Sequence, residues 1–182
     1  MSTTTTDSPT RIRHIYDGNA GLYADSLVTE AAALLDAYLA AAEQHGLDRN
    51  AVDGDGWLAQ GAAETIARKY SRPAAERTSA ELSQLVRDLN AALTAEGLEV
   101  VPTQIRMGTG VAPLPGGPTW GMNGGLTVAL YSDSGWRLMV NAPRTTVHTI
   151  NAPDSADGIR EVAQLVHGVL RGDIRDPFRL NR

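Results

Sequence analysis

No cysteine occurs among the 182 residues of this chain. Disulfides and thiol chemistry are therefore excluded, and a zinc site would have to do without its commonest ligand. Phenylalanine occurs once, as Phe178, and aromatics make up only 5% of the sequence, so a core has to be assembled from Leu, Val and Ala. Lysine also occurs once, as Lys69, and every other basic residue is arginine. That skew, together with abundant Ala and Gly, reads as the product of a GC-rich bacterial genome or of a phage of such a host. No apolar run approaches the roughly 18 residues that would span a bilayer. The opening MSTTTTDSPT has no basic start followed by an apolar stretch, so it does not read as a signal peptide. The expectation is a cytoplasmic protein.

What is present suits one domain, or one domain with a small appendage: 42% hydrophobic and 20% charged residues are ordinary for a globular chain. The net charge of −5 is unevenly spread. Residues 1–100 hold 15 acids against 8 bases, and residues 101–182 hold 6 acids against 8 bases. An acidic first half repels nucleic acid at long range, while the second half tolerates an anion.

Residues 1–18 are rich in Thr and Ser and read as a flexible arm. From about Leu22 to His45, apolar residues recur at three- and four-residue spacing (Leu27, Ala31, Leu34, Leu35, Tyr38, Leu39, Ala42), which predicts an amphipathic helix stopped by Gly46. Asp48 to Gly56 is a turn cluster. A second helix is predicted from Trp57 to Tyr70 and is ended by Pro73. A third begins at Thr78, where Thr78 and Glu81 have capping-box spacing, and ends at Gly97. From Glu99 the period changes to two, and Val101, Thr103, Ile105 and Met107 predict a half-buried strand. Leu126–Tyr131, Trp136–Val140 and Thr145–Ile150 follow as strands with short turns between them, best paired antiparallel. A last helix is predicted from Ser155 to Arg171, with Asp154 as its N-cap and Gly172 as its stop. The fold expected is α+β: an N-terminal three-helix segment, a four-stranded antiparallel meander and a closing C-terminal helix. The domain reading is an arm over 1–18, one domain over 19–172 (helical over 19–98, sheet and helix over 99–172), and a tail over 173–182.

The stretch Gly108–Gly125, GTGVAPLPGGPTWGMNGG, holds seven Gly and three Pro in 18 residues and lies between a helical and a strand-like region. Compact domains rarely keep so long a structureless connection unless it binds something or is disordered. A dinucleotide fingerprint is excluded, because Pro113 stands where a glycine is needed and no helix follows. The expected role is a binding loop anchored by Trp120, with Met122, Gly116 and Gly117 beside it. His148, with Arg137 and Arg144 nearby in the meander, could instead make a small anion site between loop and sheet. The Asp-rich turn fails as an EF-hand in both registers: from Asp53, position 6 is Leu58, where a Gly is required. His14, His45, His148 and His167 lack metal-binding spacing, and neither HExxH nor GxSxG occurs.

Thr65–Pro73 (TIARKYSRP), followed by Ala95-Glu96-Gly97-Leu98 and by Gly108-Thr109-Gly110, resembles parts of a winged helix-turn-helix of the GntR type. The resemblance covers about 45 residues and implies duplex DNA binding through Arg68, Lys69, Arg72 and Arg77. The chain departs from that pattern: 25 residues separate Ser71 from Glu96, too many for one recognition helix directly after the turn.

These readings lead to a non-enzymatic interaction or accessory protein that binds a protein partner or itself through the sheet edge and the Gly108–Gly125 loop. No cofactor, metal or membrane is expected. A small-molecule or anion-binding enzyme with a site between the loop and the sheet, using His148, Arg137 and Arg144, and a winged-helix-like DNA-binding protein using Arg68 to Arg77, are the alternatives.

Overall fold

The computed structural model describes residues 7–19, 21–71, 77–101, 107–118, 125–132, 135–140 and 146–174. The chain divides into two compact units, one formed by Met1–Asn19 with Asp25–Lys69, the other by Ala20–Ala24 with Tyr70–Arg182.

The first unit is helical. Helix α1 spans Ser8–Asp17, so the segment expected as a flexible arm is helical over most of its length. Asp7 caps it by accepting from the Thr10 N–H at 2.9 Å, and Pro9 sits in the first turn, where its missing N–H is harmless. Ile12 and Tyr16, one turn apart, are buried. Helix α2 spans Asp25–Gln44 and buries Leu27, Val28, Ala31, Ala32, Leu35 and Leu39. Gly46 follows it with φ +74, the left-handed backbone at which helices commonly end. A single turn, α3 (Arg49–Val52), leads into α4 (Trp57–Ser71). Three bonds tie these helices together. The Ser8 hydroxyl donates to Asp36 Oδ1 at 2.7 Å, the Tyr16 hydroxyl donates to the Ala63 carbonyl at 2.9 Å, and Arg11 is ion-paired with Asp53. Ala59, Ala62 and Ala63, small and buried, line the inner side of α4.

The second unit is built on a sheet. Strand β1 (Leu22–Tyr23) occupies residues expected to open the first long helix. Helix α5 (Ser79–Ala95) starts in a full capping box: Glu81 accepts from the Thr78 N–H at 2.7 Å, and Thr78 Oγ1 accepts from the Glu81 N–H at 3.3 Å. Strands β2 (Val100–Val101), β3 (Gly108–Val111), β4 (Leu126–Tyr131), β5 (Gly135–Val140) and β6 (Thr146–Asn151) follow, then helix α6 (Ala156–Arg171). The sheet order is β1-β6-β5-β4-β3-β2. All neighbouring pairs are antiparallel except β1 and β6, which run parallel with Leu22 opposite Ile150. The class is thus α+β, with six strands among the described residues and mixed pairing in place of a four-stranded antiparallel meander.

Of the strand expected over Val101–Met107, Val101 lies in β2 and residues 102–106 are outside the described residues. Pairing is found at Val100–Val101 and again at Gly108–Val111, inside the stretch read as a structureless loop. Thr109 and Val111 are buried, while Gly108 and Gly110 take the alternate positions. A Cβ on Gly110 would lie 2.6 Å from Val101 Cγ2, so glycine is what lets β2 close on β3. The N-cap of α6 also differs. Ser155, not Asp154, accepts from the Gly158 N–H (3.2 Å), because Asp154 is held by Arg77 at 2.9 Å.

Register separates the two faces of the sheet. Leu126, Val128, Leu130, Trp136, Leu138, Val140, His148 and Ile150 share one face, and all are buried. Tyr131, Arg137, Met139, Val147 and Thr149 share the other, where Tyr131 and Val147 are exposed. Helix α5 packs on α6 and on β2, β3 and β4.

Candidate functional site

Of the residues singled out in the second unit, His148 and Arg137 lie on opposite faces of the sheet. His148 lies opposite Leu138 on the apolar face and is 6% exposed. Arg137 is one residue out of phase with it. Its guanidinium is on the opposite face, donating to Thr149 Oγ1 at 2.5 Å. An anion cannot be held between these two through the thickness of a sheet. Arg144, Trp120 and Met122 lie outside the described residues.

Gly116 and Gly117 belong to a tight turn after β3. Gly116 has φ +76, and the Gly117 N–H donates to the Leu114 carbonyl at 2.9 Å. A Cβ on Gly117 would stand 2.8 Å from the Leu170 carbonyl oxygen, so the turn is pressed against the last part of α6 and requires glycine there.

Of the cations expected to meet DNA, the three among the described residues are paired with acids. Arg68 bonds Glu64 at 2.9 Å, one turn away on α4, and Lys69 bonds Glu30 at 2.5 Å. Arg77 bonds both the carboxylate and the carbonyl of Asp154, at 2.9 and 2.7 Å. Arg72 is outside the described residues. Arg68 and Lys69 are more than half exposed in these pairs, and exposed pairs of this kind contribute little.

A feature that the sequence did not single out is a groove of about 1230 Å³ in the first unit, bounded by α1, the Asp53–Gly56 turn and α4. Its construction follows from local chemistry. Asp53, buried at the end of α3, accepts from the Leu58 N–H at 2.9 Å and so holds the start of α4, which is the capped inter-helix turn that an Asp/Gly-rich sequence forms. Gly56, at φ +75, provides the sharp reversal before Trp57. Trp57 then opens the helix with its side chain 80% exposed, far more than any other large hydrophobic side chain among the described residues.

The groove lining is acidic. Asp7, Asp36, Asp53, Asp55 and Glu64 line it together with Arg11 and His14; Arg11 is paired to Asp53, and Glu64 to Arg68. The hydroxyl and then the backbone N–H of Thr10 hold the Asp7 carboxyl below its ordinary range. Glu64 is held low by the amide of Gln60 first and by Arg68 second. Among the described residues no group of three His, Asp or Glu side chains is placed to hold a metal ion, and no helix is long and apolar enough to cross a membrane.

The only sequence trace of this site was the pairing of an Asp-rich turn with a tryptophan at the helix start. Solvent exposure of an indole at a helix terminus leaves no periodic signal. No family model, no curated protein and no solved structure matches the chain.

Proposed function

We propose that this chain is a non-enzymatic interaction protein that recognises another protein. The observation that carries this reading is Trp57, an indole left in solvent at the rim of a groove large enough for a stretch of polypeptide. A tryptophan gains by burial, and exposed aromatics beside concave surfaces are the residues that most often dominate protein–protein contacts. The test is photo-crosslinking in the native host with p-benzoylphenylalanine at position 57. A discrete adduct with one protein is expected, and none from the exposed α5 position Gln84. Equal, diffuse labelling from both positions would sink the reading.

Self-association is a second reading, and one observation favours it: β2 ends the sheet order, with β3 its sole neighbour among the described strands. Strands at sheet ends can pair with a second copy. The connection that follows β3 leads to Trp120, so Trp120→Ala should lower any dimer fraction measured by sedimentation. An unchanged fraction would rule that surface out.

A further inference from the structure

The groove of the first unit has a shape, a sign of charge and an exposed ring, and together they narrow what it takes. Small-molecule pockets run to about 300–1,000 Å³, and this groove, at about 1230 Å³, exceeds that range. Its space suits an extended chain segment better than a metabolite.

Charge selects the kind of segment. The one arginine in the lining is already bound to Asp53, and among the described residues neither Asp7 nor Asp55 has a cationic partner. Asp7 and Asp55 are exposed, so they retain water that a cation could replace. Trp57 adds a ring face, which attracts guanidinium and ammonium groups through its quadrupole. An anionic partner would meet repulsion at Asp7 and Asp55, and a neutral apolar one would strip water from their carboxylates without compensation. The hydrogen bonds that keep Asp7 and Glu64 ionised extend this charge into mildly acidic solution.

We infer that the groove binds a cationic segment of a partner protein, an extended run bearing arginine or lysine whose side chains meet the Asp7 and Asp55 carboxylates and the face of Trp57. This rests on the reading of Trp57 as a partner contact. Glu64 stays with Arg68 and Asp53 with Arg11, so the carboxylates open to the segment are those of Asp7 and Asp55.

The experiment titrates the full chain with a ten-residue peptide containing four arginines, with the same peptide carrying citrulline in their place, and with spermidine. Indole fluorescence and calorimetry read the binding at low salt. The expected result is saturable binding of the arginine peptide at least tenfold tighter than of its citrulline counterpart, weakening as sodium chloride rises. Asp55→Asn and Trp57→Ala should each weaken it about fivefold or more. Both positions are exposed, so circular dichroism should show the variants folded. Equal binding of the two peptides, binding untouched by both variants, or spermidine binding as tightly as the peptide would each overturn the inference. So would self-association of the chain that Trp57→Ala abolishes, since a second copy would then be the occupant. A crosslinked partner whose contacting segment lacks cations would overturn this inference and leave partner binding standing. Specific arginine-peptide binding without any adduct from position 57 in the host would leave the groove chemistry standing and remove the proposed function.

Discussion

Glycine carries opposite meanings at two positions that look alike in the sequence, since both lie in helices. A Cβ on Gly158, in the first turn of α6, would fall 1.8 Å from the Pro153 carbonyl oxygen. That oxygen is backbone and has nowhere to go. Gly158→Ala is expected to destabilise the chain by about 3 kcal/mol or more, the upper end for overpacking. Gly61, inside α4, has no atom within 4 Å of where its Cβ would be. Gly61→Ala should stabilise by about 0.5–1 kcal/mol, because it restricts the unfolded chain and removes a weak helix former. Urea unfolding of the two variants reads both signs at once. The same chemistry applies at Gly110 and Gly117, which the sequence shows only as parts of a glycine-rich stretch. Each permits a close approach, of Val101 in one case and of the Leu170 carbonyl in the other.

At the scale of elements, α5 is the clearest case of sequence and structure agreeing. Its capping box was legible at Thr78-x-x-Glu81 and is present with both reciprocal bonds. Thr78→Ala should therefore lower stability by about 1 kcal/mol. The pH dependence has a definite sign. The Thr78 backbone N–H first, and its hydroxyl second, hold the Glu81 carboxyl below its usual value of 4.5. A carboxyl depressed in the folded state stabilises fully above its unfolded value, and that contribution is lost as pH falls through the lower, folded value. Glu81→Gln should flatten this acid limb in a series of unfolding curves between pH 5 and about 2. Helices α2, α4, α5 and α6 were legible because long apolar stripes recur at helical spacing. Helix α1 was not, since Ile12 and Tyr16 alone cannot outweigh a Thr-rich approach. Strand β3 was hidden because glycine on alternate positions erases one half of the period-two signal. The acidic groove escaped for a different reason. Its walls come from α1 and α4, some forty residues apart in the chain, and no spacing rule connects them.

For the whole molecule, the chain path matters more than its composition. After α1 it contributes Ala20–Ala24 to the second unit, returns to complete the first through Lys69, and only then builds the remainder of the sheet. The uneven charge follows this division: all five groove carboxylates fall in the first unit. Strand β1 is the product of that excursion, and its two residues had no chance of being read as a strand beside the long stripe of α2. Its place has a kinetic consequence. The Asn151 side chain reaches the Leu22 carbonyl across a separation of 129 residues, whereas β4 and β5 meet across a short turn. Closing the longer loop costs about 3 kcal/mol more in chain entropy, at ~0.6 kcal/mol for each doubling. Two residues of ladder return little against that, so β1 should dock last and release first. Native-state hydrogen exchange offers the measurement. The Ala24 amide, bonded to the Asn151 carbonyl at 2.9 Å, should exchange well ahead of the amides of β4 and β5, although Ala24 is itself fully buried. Equal protection would mean that β1 is fastened as early as the centre of the sheet. Ordered exchange would make this short parallel strand the latch of the second unit, opened at an energy well below that of global unfolding.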